Sequence, residues 1–143
     1  MCCNMIRQDV YLNKWDWYVI IYYAVDTYYM DDILDELENI GCAYADEIEE
    51  DLTQQPYNNG LTYSNLRKRV SLIVIGLTET PDEFQNTYDH EKGHLAMHIA
   101  EEDQMDVFGE EFQYLVGEIG KQTFPIARRF MCEHCRKDLV GDF

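Results

Sequence analysis

His90-Glu91-Lys92-Gly93-His94 sets two imidazoles four residues apart, with a carboxylate beside the first. On an α-helix, positions i and i+4 stand one above the other on a single face, so both rings can grip one ion. Glu91 is displaced about 100° from His90 by the helical period. That puts it at the border of such a site, where it can take a proton from a water the ion activates. The chemistry on offer is metal-assisted hydrolysis with a built-in base.

A catalytic zinc needs a third protein ligand and an open position. His98 continues the spacing, but eight residues of straight helix span about 12 Å, too far for His90 and His98 to share an ion at bond lengths of about 2 Å. By helical angle His98 falls between His94 and Glu91, which suits a donor to a developing oxyanion; ordinary packing is the alternative. Glu110 and Glu111 follow His94 by 16 and 17 residues and open the next expected helix. Either carboxylate could reach back to the ion. Leu115, on the same face as Glu111, argues that Glu111 is the inward one.

The elements that must position these groups are signalled separately. Thr80 before Pro81, with Glu83 three residues on, predicts a capped helix from Pro81 to about Glu102. Upstream, Val10 to Val25 reads as one strand, its aromatic and β-branched residues alternating. Asp31 to Ile40 has helical apolar spacing and Gly41 to stop it, and Ala43 to Leu52 extends this or adds a turn or two. Pro56, Asn58, Asn59 and Gly60 predict a loop from Gln54 to Asn65, and Arg69 to Leu77 a second strand. Downstream come a connection at Met105 to Phe108, a helix from Gly109 to Gly120, and a last helical piece that Pro125 begins. We expect one α+β domain over residues 1–143 with its core at about 10–130 and tails at 1–9 and 131–143. Its small mixed or antiparallel sheet should pack on the motif helix and the helix after it.

The chain has 143 residues, with 11 Lys and Arg against 28 Asp and Glu, a net charge of −17. Such a field repels phosphate backbones and anionic bilayers, so neither nucleic acid nor a membrane is an expected partner. Met1 to Arg7 has no apolar core of signal-peptide length, and the longest apolar run, Tyr18 to Val25, is too short to span a bilayer. Five cysteines, an odd number, fit free thiols in a cytoplasm better than a disulfide framework. Cys132-Glu-His-Cys135 is a lone pair of thiols that could form a four-ligand structural zinc site only if Cys2 and Cys3 came to meet it.

His90 to His94 followed by a glutamate on the next helix resembles the gluzincin type of zinc metallopeptidase. More closely, Asn59 to Gly120 resembles small peptidases encoded by phages and prophages of gut bacteria. The resemblance rests on Asn59-Gly-Leu-Thr-Tyr-Ser-Asn65, the strand to Leu77, Glu83-Phe-Gln-Asn-Thr87, the motif itself and Gly109-Glu-Glu-Phe-Gln-Tyr-Leu-Val-Gly117. It implies a minimal zincin-like fold, zinc held by His90, His94 and Glu111, and Glu91 as general base on a protein or peptide substrate. It also implies a place in the bacterial host cytoplasm or with the virion. Leu115 stands where the gluzincin pattern often has an aspartate. A non-catalytic phage-encoded structural or interaction protein with a structural or vestigial zinc site is the rival expectation.

Overall fold

The computed structural model describes residues 5–25, 30–53 and 60–135; Cys2, Cys3 and the Gln54 to Asn59 part of the expected loop lie outside them. The elements are β1 (Ile6–Leu12), β2 (Trp17–Val25), α1 (Met30–Asn39), α2 (Ala45–Thr53), β3 (Gly60–Asn65), β4 (Val70–Gly76), α3 (Pro81–Glu102) and α4 (Glu110–Ala127). The fold is mixed α+β, and its four strands are ordered β1-β2-β4-β3. β2 and β4 pair in parallel at the centre, while β1 and β3 run antiparallel to them at the edges, making the sheet mixed.

Strand alternation sends Val19, Ile21, Tyr23, Ile73 and Ile75 to one face of the sheet and Ile20, Tyr22, Leu72 and Val74 to the other. Both sets are buried because helices cover both faces. Phe84, Leu95 and Ile99 of α3 with Leu115 and Ile119 of α4 close the first core. Ile33 and Leu37 of α1, with Ile40 and Ile48, close the second. The acid-rich helices α1 and α2 thus lie on the side of the sheet away from the motif helix.

Several expected boundaries move. Val10 to Val25 is two strands, because the chain reverses through Asn13–Trp15 and Asp16, whose φ of 51° is a left-handed conformation that aspartate tolerates. β1 begins at Ile6, so Ile6 to Asp9, expected in a tail, pair with Ile20 to Tyr23. Gly60 to Asn65 is a strand and not the end of a loop. Leu61 and Tyr63 pack toward α1 and α2, whereas Thr62 and Ser64 face α3. Helix α4 continues past Gly120 and through Pro125, which sits near its last turn. Other expectations hold: α3 spans Pro81–Glu102, and Gly41, with φ of 83°, ends the turn after α1.

Arg69 ties three of these parts together. Its guanidinium lies 4.8 Å from the Trp17 ring centre, pairs with Asp103 at 2.8 Å just past α3, and donates to the carbonyls of Trp15 and Asp16. Arg69→Ala should lower stability by about 2 kcal/mol, since charge-assisted bonds and ring stacking go together. Asp103→Asn alone removes one half-exposed ion pair, and about 0.5 kcal/mol is expected. Urea midpoints measure both, and equal losses would refute this ranking.

Candidate functional site

Helix α3 starts where its sequence says it should: Thr80 Oγ1 accepts the Glu83 N–H at 3.2 Å, and Pro81 takes the first turn, where its missing donor costs nothing. The helical period then divides its surface. Phe84, Tyr88, Leu95 and Ile99 enter the core. Thr87, Glu91 and His98 turn toward β3. His90 and His94 are exposed.

The two exposed imidazoles converge. Their Nε2 atoms are 3.0 Å apart, and the rings meet edge to face with centres 4.6 Å apart. Two nitrogens bound to one ion at about 2.1 Å and a tetrahedral angle would stand about 3.4 Å apart, so the pair fits two ligands of a single cation.

Glu91 is the opposite case, a carboxylate only 6% exposed. Thr62 Oγ1 lies 2.8 Å from its Oε1 and 3.1 Å from its main-chain carbonyl, so the single Thr62 hydroxyl proton is donated to Glu91. Gly60 passes directly over the same side chain. A Cβ there would stand 2.9 Å from Glu91 Oε2 and 2.8 Å from the Thr87 methyl, contacts no side chain could keep. The strand therefore holds one carboxylate oxygen and keeps its own side chains off the other.

His98 sits one turn beyond His94, half-buried, with Nδ1 2.7 Å from Ser64 Oγ. Burial, with a smaller contribution from His94, holds its pKa below the ordinary histidine value. It therefore lies between the motif and β3, as its helical angle predicts.

Glu111 is not brought to the histidines. Among the described residues no third His, Cys, Asp or Glu joins them in a metal-holding group. Glu111 is exposed in the first turn of α4, not directed inward, and Glu110 is exposed beside it. The reason is the seating of α4. Tyr88 bonds Thr123 at 2.6 Å and Lys92 lies against Gly120, so the two helices are antiparallel on the Tyr88 and Lys92 flank of α3. His90 and His94 are about 160° and 200° round the helix from Lys92, on the other flank. That register also puts Glu111 level with about Glu101, roughly 10 Å along the axis from His94. α4 packs over β1 while α3 packs over β3 and β4, so the histidine flank looks out past the free edge of β3.

The tyrosines that proximity might have recruited are committed elsewhere. Tyr88 is buried and bonded to Thr123, Tyr63 packs toward α1 and α2, and Tyr114 stacks with Lys14. Cys132 and Cys135 are exposed after α4. Sequence reasoning missed Gly60, Thr62 and Ser64. Their signal was the alternation of Leu61 and Tyr63 with Thr62 and Ser64, masked by the turn-forming Asn58-Asn59-Gly60.

Two outcomes follow from this arrangement. Glu111→Gln should leave zinc affinity within about twofold of wild type, whereas a ligand's loss costs 10-fold or more; calorimetric titration with zinc decides, and a 10-fold loss would show that α4 moves to ligate. His98 resists protonation when folded, so its contribution to stability is full above the ordinary value of 6.5 and is lost as pH falls below it. Acidification from about pH 7 to 5 should therefore lower the melting temperature of wild type relative to that of His98→Gln. An equal pH dependence of the two counts against it. No protein-family model matches the chain, and no curated protein or solved structure matches it either.

Proposed function

We propose that this chain is a zinc-dependent peptidase in which His90 and His94 hold the ion and Glu91 is the general base. The carrying observation is the approach of the two Nε2 atoms to 3.0 Å beside a carboxylate fixed by an edge strand. When bound, zinc supplies Lewis acidity, lowering the pKa of a water from 15.7 toward about 7 and polarising a substrate carbonyl.

The residues of the chain supply the rest. Glu91 would receive the water's proton and later give it to the leaving amine; the Thr62 hydroxyl fixes the carboxylate's orientation through Oε1, and Gly60 sets no side chain against Oε2. Among the described residues β3 is hydrogen-bonded only to β4, so an extended peptide could add to its other edge and run beside the histidine flank. Ten of the 28 acidic residues lie between Asp31 and Asp51, on the helical layer behind the sheet. Their field favours neutral or basic peptides over acidic ones. The third protein ligand that a catalytic zinc needs would be Glu111 by the resemblance, and it could reach the ion if α4 shifted from the flank on which it packs. The host cytoplasm or virion of a phage-encoded enzyme is the setting that same resemblance supports. No helix among the described residues is long and apolar enough to cross a membrane.

A second reading has its own observation. Glu91 is buried and joins α3 to the edge strand, which is also what a purely structural carboxylate does. The chain would then be a phage-encoded structural or interaction protein with a structural or vestigial zinc site.

Glu91→Gln separates the two, because the amide oxygen can still accept from Thr62. As a peptidase the variant should keep its zinc, measured by metal analysis, and lose at least about 100-fold in cleavage of a neutral or basic peptide library. His94→Ala should lower zinc content. Zinc-dependent melting with no cleavage by wild type would support the structural protein. Equal activity of wild type and Glu91→Gln would end the general-base assignment.

A further inference from the structure

A chain of four polar groups crosses the sheet beneath α3. Trp17 Nε1 is 2.8 Å from Ser71 Oγ, Ser71 Oγ is 2.6 Å from Ser64 Oγ, and Ser64 Oγ is 2.7 Å from His98 Nδ1. Trp17 and Ser71 are wholly buried, so their hydrogens must be used within the protein.

The direction of the chain can be worked out from donor counts alone. An indole N–H only donates, so Ser71 accepts from Trp17. Ser71 has one hydrogen, and Ser64 is its remaining partner among the described residues. If Ser64 donated to Ser71, the buried Ser71 hydrogen would point at nothing, at a cost of about 1–3 kcal/mol. Ser71 therefore donates to Ser64. The Ser64 hydrogen is then left for His98 Nδ1, its remaining partner among the described residues, and every hydrogen of the chain is used within it when Nδ1 accepts. A neutral imidazole that accepts at Nδ1 carries its hydrogen on Nε2.

We infer that Ser71 and Ser64 are positioning residues forming a one-way relay, with the Trp17 indole bonded at its buried end, that holds His98 as the Nε2–H tautomer, so that it offers a proton and not a lone pair. Such a ring is a hydrogen-bond donor and not a metal ligand through Nε2. It fits His98 as a partner for a developing oxyanion; that role rests on the peptidase reading, while the tautomer does not.

The test needs no turnover. Long-range proton–nitrogen NMR correlations of histidine side chains, in metal-free full-length protein near pH 8, report which ring nitrogen carries hydrogen. His98→Gln assigns the His98 signals. Wild type should show His98 protonated on Nε2, with Nδ1 as acceptor. Ser71→Ala removes the donor to Ser64 and should convert the single tautomer into a mixture or into Nδ1–H, although Ser71 does not touch His98. Trp17→Phe leaves the Ser71 hydrogen with Ser64 as its acceptor and should keep Nε2–H. If Ser71→Ala fails to fold, Ser64→Ala, which removes the donor to His98 itself, should give the same mixture. An Nδ1–H tautomer in wild type, or an unchanged single Nε2–H tautomer in the folded serine variants, overturns the relay. Absence of peptidase activity in wild type, with the tautomer pattern as expected, would leave the relay standing and count against the catalytic reading alone.

Discussion

The position of α3 depends on its contact with the edge strand at Glu91. A buried carboxylate is costly unless hydrogen-bonded, and the Thr62 hydroxyl at 2.8 Å meets that need. The contact is possible because Gly60 brings bare backbone over the same side chain, where any Cβ would collide. Rotation of α3 about its axis by one residue would bring Lys92 or His90 under β3 in place of Glu91. Because Glu91 fixes the rotation, His90 and His94 are fixed outward, their Nε2 atoms facing one another at 3.0 Å.

The same strand serves two layers. In β3, Leu61 and Tyr63 join the core under α1 and α2, while Thr62 and Ser64 present hydroxyls to α3. A one-residue slip of β3 against β4 would exchange the two faces, burying hydroxyls among apolar residues and setting Leu61 and Tyr63 against Glu91 and His98. The pairing of Thr62 with Ile73 and of Ser64 with Ser71 is thus enforced from both sides of the sheet. Ser71 is the one hydroxyl among the inward residues of β4, and it is matched by Ser64 on the neighbouring strand and by the Trp17 indole on the other.

Much of this was legible in the sequence wherever local chemistry and tertiary packing agree. The Thr80 cap, Pro81 and the termination at Gly41 act within a few residues, and the structure uses each as the sequence indicates. β4 alternates strongly enough to be bounded within a residue at each end. The failures lie where a local signal was weak or outvoted. Asn13 and Asp16 are single turn formers inside an aromatic run, so the reversal between β1 and β2 was hidden. Asn58, Asn59 and Gly60 announced a turn so strongly that the strand beginning at Gly60 was absorbed into it. The motif histidines were legible because their geometry is internal to one helix. The inward direction expected for Glu111 depended instead on how a second helix docks, which Leu115 alone does not determine, since a residue four positions away can lie at the margin of the buried stripe.

The docking of α4 also decides which side of α3 leaves His90 and His94 open. α3 is flanked by α4 on the Tyr88 and Lys92 side, by the sheet beneath, and by the overhang past β3 on the histidine side. A helix can pack against another only along a stripe, and the stripe α3 gives to α4 lies about half a turn from His90 and His94. Buried neighbours such as Leu115 and Ile119 hold α4 there with the core of the whole sheet face behind them. Glu111, at the start of α4, stands roughly 10 Å along the axis from His94 and on the other flank of α3. In the proposed zinc site, groups that complete coordination would approach from the open side, past the edge of β3 that is unpaired among the described residues. This is the side from which an extended peptide would also arrive.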